Sequence, residues 1–155
     1  MKKKNIVIMI LFIIIHLVVG GISAYFTKDA MTLYKGMKQP PLSPPGILFP
    51  IVWTILYILM GISSYLVYAS KNKDKKNILV IYFIQLCFNF FWSILFFRFS
   101  LYWIALVWLI VMYIFIILYT VRSRKVSVTA SNLFIPYILW CAFACYLNIM
   151  IAILN

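Results

Sequence analysis

The sequence predicts an all-α membrane protein, a bundle of five transmembrane helices with a long ordered loop between the first and second. Of its 155 residues, 66% are hydrophobic and only 10% are charged, too little polar surface to cover the core of a soluble domain. Uncharged stretches run over 5–27, 39–70, 77–97, 99–121 and 126–155. Each reaches the roughly 20 residues with which a helix crosses about 30 Å of hydrocarbon. Barrel strands would need only about 10 residues each and an alternating pattern, and no such alternation is present.

Span 1 runs from about Asn5 to Phe26. Lys2, Lys3 and Lys4 before an apolar run also fit a signal peptide, but the run exceeds roughly 15 residues and lacks a small-residue cleavage site, which predicts a retained span. Span 2 is expected over about 46–70, followed by the solvated turn "KNKDKK". Span 3 covers about 77–98 and span 4 about 101–121, and the brief "RFS" between them requires an antiparallel hairpin. After the polar connection "RSRKVSVTAS", span 5 runs over about 132–154. No repeat at a fixed period argues for duplicated halves, so residues 1–155 are read as one domain.

The formal charge of +12 follows the topology and does not call for a nucleic-acid partner. Ten cations (Lys2, Lys3, Lys4, Lys71, Lys73, Lys75, Lys76, Arg122, Arg124 and Lys125) fall on one side. Four (Lys28, Lys35, Lys38 and Arg98) fall on the other. By the positive-inside rule the N-terminus is cytoplasmic and the C-terminus lies across the membrane. Cys87, Cys141 and Cys145 all lie in spans without redox or zinc spacing, which reads as buried inert thiols.

Between spans 1 and 2 the loop, about Thr27–Pro45, is long for a membrane connection. Its Met31, Leu33, Tyr34, Met37 and Leu42 give it an apolar face, so it is expected to fold over the outer mouth of the bundle. "KQPPLSPPGILFP" carries five prolines in thirteen residues. Ser43 is read as an N-cap with Pro44 and Pro45 in the first turn, and Pro50 as a kink inside the helix. Phe49, Trp53, Tyr57 and Met60 then share one face. Trp53 and Tyr57 either line a pocket or belong to an interfacial belt. Trp53, roughly two turns in, lies deeper than a belt needs.

Two further spans carry polar groups at matching depth. Gln85, Asn89, Trp92 and Phe96 share a face of span 3. Trp140, Ala144, Leu147 and Asn148 share a face of span 5 beside Phe143, with Pro136 as a second kink. Buried amides serve either as glue between helices or, with converging aromatics, as the wall of a pocket for a flat, largely apolar ligand.

"PPLSPPGILFPIVWTILYILMG", "QLCFNFFWSILFF" and "PYILWCAFACYLNIMIAILN" closely resemble the translocator protein family, also called tryptophan-rich sensory proteins and peripheral benzodiazepine receptors. The resemblance covers three of the five spans and the proline-rich loop. It implies a five-helix bundle, often a homodimer, with a cavity below the loop. It also implies binding of tetrapyrroles (protoporphyrin IX and haem), of isoquinoline carboxamides and benzodiazepines, and light-dependent breakdown of protoporphyrin. Matching pocket positions are Tyr34, Trp53, Tyr57, Asn89, Trp140 and Ala144. The aromatic-then-Arg ending of animal members, tied to cholesterol, is absent from "IAILN". Short Lys-rich loops point to a bacterial plasma-membrane member in contact with membrane lipids.

No conventional catalytic constellation is present, since Asp29 and Asp74 are the only acids and His16 the only histidine. His16 reads as a neutral imidazole bonded to a neighbouring helix, with axial haem ligand or proton carrier as the alternatives. No metal site and no tightly bound cofactor are expected, with the tetrapyrrole as ligand or substrate. Any reaction would draw on the ligand's own photochemistry, with Trp53 and Trp140 as the oxidisable residues. Lys28, Lys35 and Lys38 stand where ring propionates would be met. The alternative function is a porphyrin or lipid carrier that does no chemistry.

Overall fold

Helix α1 (Lys3–Phe26) begins the computed structural model, which describes residues 3–155, so Lys2 of the charge argument lies outside the described residues. A short α2 (Ala30–Gly36) follows within the loop, then α3 (Leu48–Ala69) and α4 (Lys75–Ser93). The last turn of α4 widens into a π-helical turn, Ile94–Arg98. After a tight hairpin come α5 (Tyr102–Arg124), the short α6 (Val128–Asn132) and α7 (Ile135–Leu154). No strand occurs among the described residues. Five helical segments are long and apolar enough to span a membrane: Lys4–Phe26, Leu48–Ala69, Lys75–Arg98, Tyr102–Arg124 and Val128–Leu154.

Two proline readings are corrected. The second spanning helix starts at Leu48, preceded by a turn in which the Leu48 and Phe49 amides donate to Pro45 and Gly46 carbonyls. Ser43 therefore does not cap it, and its hydroxyl has no partner. Pro50 falls in the first helical turn, where a missing N–H costs nothing, and no interior kink is required. The same holds for Pro136, which occupies the start of α7 after a break at Leu133–Phe134. Ser127 is the true cap in this region, accepting from the Ala130 amide on α6. Of the three thiols, Cys141 is buried, whereas Cys87 faces outward.

Helix α5 is the spine of the bundle. Its Ala105, Leu109, Met112, Ile116 and Tyr119 recur at spacings of three and four and are all wholly buried, packing against α4 and α7. Helix α1 is apolar nearly all round and packs mainly on α3, leaving Ile10, Ile14, Val18 and Ile22 for lipid. Its inward positions are polar or small instead, with His16 and Ser23 buried. Such residues let helices approach closely or bond across the interface where water offers no competition.

Gly61 marks the closest approach. A Cβ there would lie 2.7 Å from Ile13 Cα, a backbone atom that cannot swing aside. Gly61→Ala should therefore push α1 off α3, and overpacking of this kind costs about 1–3 kcal/mol. The check is thermal unfolding of the purified protein in detergent, where Tm should fall by several degrees. An unchanged Tm would mean that α1 is free to shift at no cost.

Candidate functional site: a cavity beneath the loop

The loop between α1 and α3 is held down by a small set of bonds. The Tyr34 hydroxyl donates to the Pro44 carbonyl (3.2 Å), and the Gln39 side chain donates to the Tyr34 carbonyl. From α7, the Tyr146 hydroxyl donates to the Pro41 carbonyl at 2.7 Å. Asn155 pairs with both backbone groups of Lys38, accepting at 2.9 Å and donating at 3.3 Å. Tyr34 and Met37 are buried beneath the loop. Burial lifts the Tyr34 hydroxyl above its ordinary pKa, so it remains a neutral donor at physiological pH.

Under α2 lies a cavity of about 260 Å³. Helix α1 supplies Gly20, Ser23 and Ala24, the loop supplies Thr27, Lys28, Ala30 and Met31, and α3 supplies Phe49, Pro50, Trp53 and Tyr57. Asn89, Trp92, Ser93 and Phe97 close it from α4 and the π turn. π turns recur at functional sites because they re-aim side chains; here the turn sets Phe97 on the cavity and buries Phe96 beside it. Gly20 leaves room for a wall residue, since a Cβ there would lie 2.4 Å from the Tyr57 ring. The Ser23 and Ser93 hydroxyls bond at 2.5 Å and tie α1 to α4 at the cavity's edge.

The aromatic wall is continuous. Trp53 meets Tyr57, Trp92 and Tyr137 with ring centroids 5.8, 6.3 and 6.1 Å away. Behind it the amides are committed to the bundle. Tyr57 donates to Asn89 Oδ1 (2.6 Å), Asn89 Nδ2 donates to the Tyr137 hydroxyl (2.9 Å), and Tyr137 donates to Gln85 Oε1 (3.2 Å). Asn148 accepts from the Trp92 indole at 3.2 Å and donates to the Tyr102 carbonyl at 2.8 Å. Both readings of the amides thus apply together, as glue whose aromatic partners form the wall.

Sequence-predicted residues divide among five places. Trp53, Tyr57, Asn89, Trp92 and Lys28 meet at the cavity. Tyr34, Ala144 and Asn148 line a narrow adjoining crevice that shares Phe49, Trp92 and Phe97 with it. Gln85 lies wholly buried behind Tyr137, with its Nε2 unpartnered. Trp140 and Phe143 line a separate outward groove with Val52, Ile55 and Leu139, and Phe49 stands beside Trp140 at 5.9 Å. Lys35 and Lys38 are exposed on the loop. Reasoning from sequence missed the α1 wall, although Gly20 and Ser23 form a small or polar stripe at helical spacing on an otherwise apolar helix, continued by Thr27 just past its end. It also missed Tyr137, one turn before Cys141.

His16 is engaged at both ring nitrogens. Nδ1–H donates to the Phe12 carbonyl at 2.5 Å, and Nε2 accepts from the Tyr82 hydroxyl. This is the neutral imidazole bonded to a neighbouring helix, and it leaves no nitrogen free for a haem iron. Among the described residues no group of three or more His, Cys, Asp or Glu could hold a metal ion.

A family model described as the TspO/MBR family matches residues 12–154. The chain is 39% identical to a tryptophan-rich protein TspO of Chlorobaculum tepidum over 99% of both chains. It is 36% identical to a protein of the same name from Archaeoglobus fulgidus, over 97% of this chain and 99% of the relative. Similarity extends to the translocator protein of Ovis aries, at 32% identity over 80% of this chain and 75% of the relative.

Proposed function

The chain belongs to the TspO/MBR family, and from that premise we propose that it binds tetrapyrroles such as protoporphyrin IX and haem beneath the loop and promotes their light-dependent oxidation. The observation that carries this reading is the wall formed by Trp53, Tyr57 and Trp92 around a cavity with one cation, Lys28, on its lining. Flat π-systems stack on such walls at offset or edge geometry. The propionates of a tetrapyrrole would meet Lys28 first. Isoquinoline carboxamides and benzodiazepines fit the same apolar, aromatic surroundings without a charge partner.

The cavity is slightly smaller than the roughly 300–1,000 Å³ of pockets for drug-sized ligands. A whole macrocycle therefore requires the loop to lift, and the bonds from Tyr146 and Asn155 are those that would open. The tetrapyrrole acts as ligand or substrate and not as a resident cofactor. We place the protein in the plasma membrane with its N-terminus cytoplasmic, in contact with membrane lipids, and capable of pairing as a homodimer.

Absorbance of protoporphyrin IX mixed with the purified protein, in light and in darkness, tests the reading. A shifted spectrum in the dark and a decay on illumination faster than that of free protoporphyrin are expected. A shift without accelerated decay would leave a carrier of porphyrin or lipid as the better description. Charge gives a second test. Lys28→Gln should weaken protoporphyrin binding and flatten its salt dependence, because Lys28 stands on the cavity lining and an exposed cation attracts propionates through an interaction that salt screens. Lys35→Gln and Lys38→Gln should do less, and a neutral isoquinoline carboxamide should be indifferent to all three. Equal losses for both ligands would indicate a collapsed loop.

A further inference from the structure

Besides the cavity, the bundle buries a second polar centre that the proposed binding does not use. His16 from α1 and Tyr82 from α4 are bonded to each other in its middle. Tyr82 is wholly buried, and its hydroxyl also lies 3.4 Å from the Met60 carbonyl. The Phe12 carbonyl can only accept, so Nδ1 of His16 carries the proton and Nε2 is a free base facing the phenol.

A ladder of rings joins this pair to the cavity wall. Trp53 contacts Tyr137 at 6.1 Å, Tyr137 contacts Phe134 at 5.6 Å, and Phe134 contacts Tyr82 at 6.0 Å. Tyr119 buttresses the lower end, 5.1 Å from Tyr82 and 4.4 Å from Phe134. Oxidising a tyrosine is easy only when its proton has somewhere to go. Tyr57 donates to a carboxamide, Tyr137 to another carboxamide, and Tyr119 pairs with the Ser63 hydroxyl. None of those acceptors takes up a proton near neutral pH. Tyr82 alone of these four faces an imidazole.

We propose that Tyr82 and His16 form a redox site, the terminus of a relay that draws oxidising equivalents away from Trp53. The inference rests on the photo-oxidative reading of the cavity. Trp53 gives one electron to a photoexcited macrocycle, and dioxygen is the final electron acceptor, leaving as superoxide. Tyr82 returns one electron to the indole cation through the ring ladder and passes its phenolic proton to His16 Nε2. The products are a neutral tyrosyl radical and an imidazolium whose Nδ1–H stays on the Phe12 carbonyl. One positive charge has moved from Trp53 to His16, and Trp53 is restored. One such transfer thus spares the cavity's own indole from oxygenation and leaves the oxidising equivalent on Tyr82.

Electron paramagnetic resonance of the protein illuminated with protoporphyrin IX tests this. A tyrosyl signal is expected in the parent and in Tyr119→Phe. It should be lost in Tyr82→Phe and fall several-fold in His16→Gln, where an amide oxygen accepts the phenolic bond but cannot take the proton. Mass spectrometry of the Trp53 peptide gives an independent readout, with oxygen addition several-fold faster in both variants than in the parent. A further arm omits the macrocycle and ionises indole directly with ultraviolet light in aerated buffer. There too, Trp53 should be oxygenated faster in Tyr82→Phe and His16→Gln. That gain without any protoporphyrin spectral shift would support the relay while telling against the tetrapyrrole reading. A tyrosyl signal that survives in Tyr82→Phe, or Trp53 oxygenation at the parental rate in both variants under ultraviolet light, would overturn the relay. Tyr82→Phe keeps the ring packing, so it remains informative even if His16→Gln folds poorly.

Discussion

Trp53→Ala is expected to weaken protoporphyrin binding by on the order of 10- to 100-fold, the range of about 1–3 kcal/mol found when an aromatic platform is removed from under a flat ring. The Trp53 ring touches residues of both the cavity wall and the core behind it, namely Trp92, Tyr57 and Tyr137. Truncation removes the stacking face and leaves a void that the neighbouring rings cannot fill without leaving their own bonds. Residues with this central, desolvated position dominate binding energies. Trp103 is the control, because it is exposed on the outer face of α5 with nothing polar converging on it. Titration of tryptophan fluorescence or ligand absorbance reads both variants. Equal weakening by Trp103→Ala would place the ligand on the lipid-facing groove of α4 and α5 and remove the cavity from consideration.

How much of this was legible in the sequence depends on what each residue responds to. Spans are set by hydropathy against a fixed bilayer thickness, and charge gaps mark their ends within a few residues. Faces are set by the helical period, which is why Gln85, Asn89, Trp92 and Phe96 fall on one face and are all buried. The local rules failed at the prolines. Ser43, Pro44 and Pro45 have the composition of a helix start, but the chain makes one more turn before Leu48, so Pro50 became a first-turn residue. Trp140 stands apart from the cavity for another reason. Its helical face matches that of Ala144, but α7 enters after the short α6, and Phe49 comes between its indole and the cavity. Only the rotation of whole helices about their axes decides which side of a shared face meets the cavity, and no periodicity encodes it. The α1 wall went unread because small residues contribute by leaving space.

Replacing Trp53 by Phe separates stacking from chemistry. Phenylalanine keeps most of the flat contact area, so affinity for protoporphyrin should fall only a few-fold, yet it lacks the easily oxidised indole. Light-dependent loss of protoporphyrin should then slow by on the order of 10-fold or more, about 1.4 kcal/mol in the barrier for each factor of ten. The ring's place on the cavity wall beneath the loop strengthens the expectation, since a reactive species formed there is held against its partner. Trp140→Phe makes a sharper comparison than any surface variant. Its indole lies past Phe49, in a groove facing outward, and should affect the reaction far less than Trp53 if the macrocycle occupies the cavity as described. An isoquinoline carboxamide filling the cavity should suppress the reaction in the parent and leave the slow residual rate of Trp53→Phe unchanged. Should Trp140→Phe abolish the reaction while Trp53→Phe does not, the macrocycle must sit on the α7 side of Phe49. The loop would then open toward Tyr146 and away from Lys28. Degradation at the parental rate in both Phe variants, under equal illumination and matched occupancy, would exclude indole chemistry and leave a protein that binds or carries its ligand without altering it.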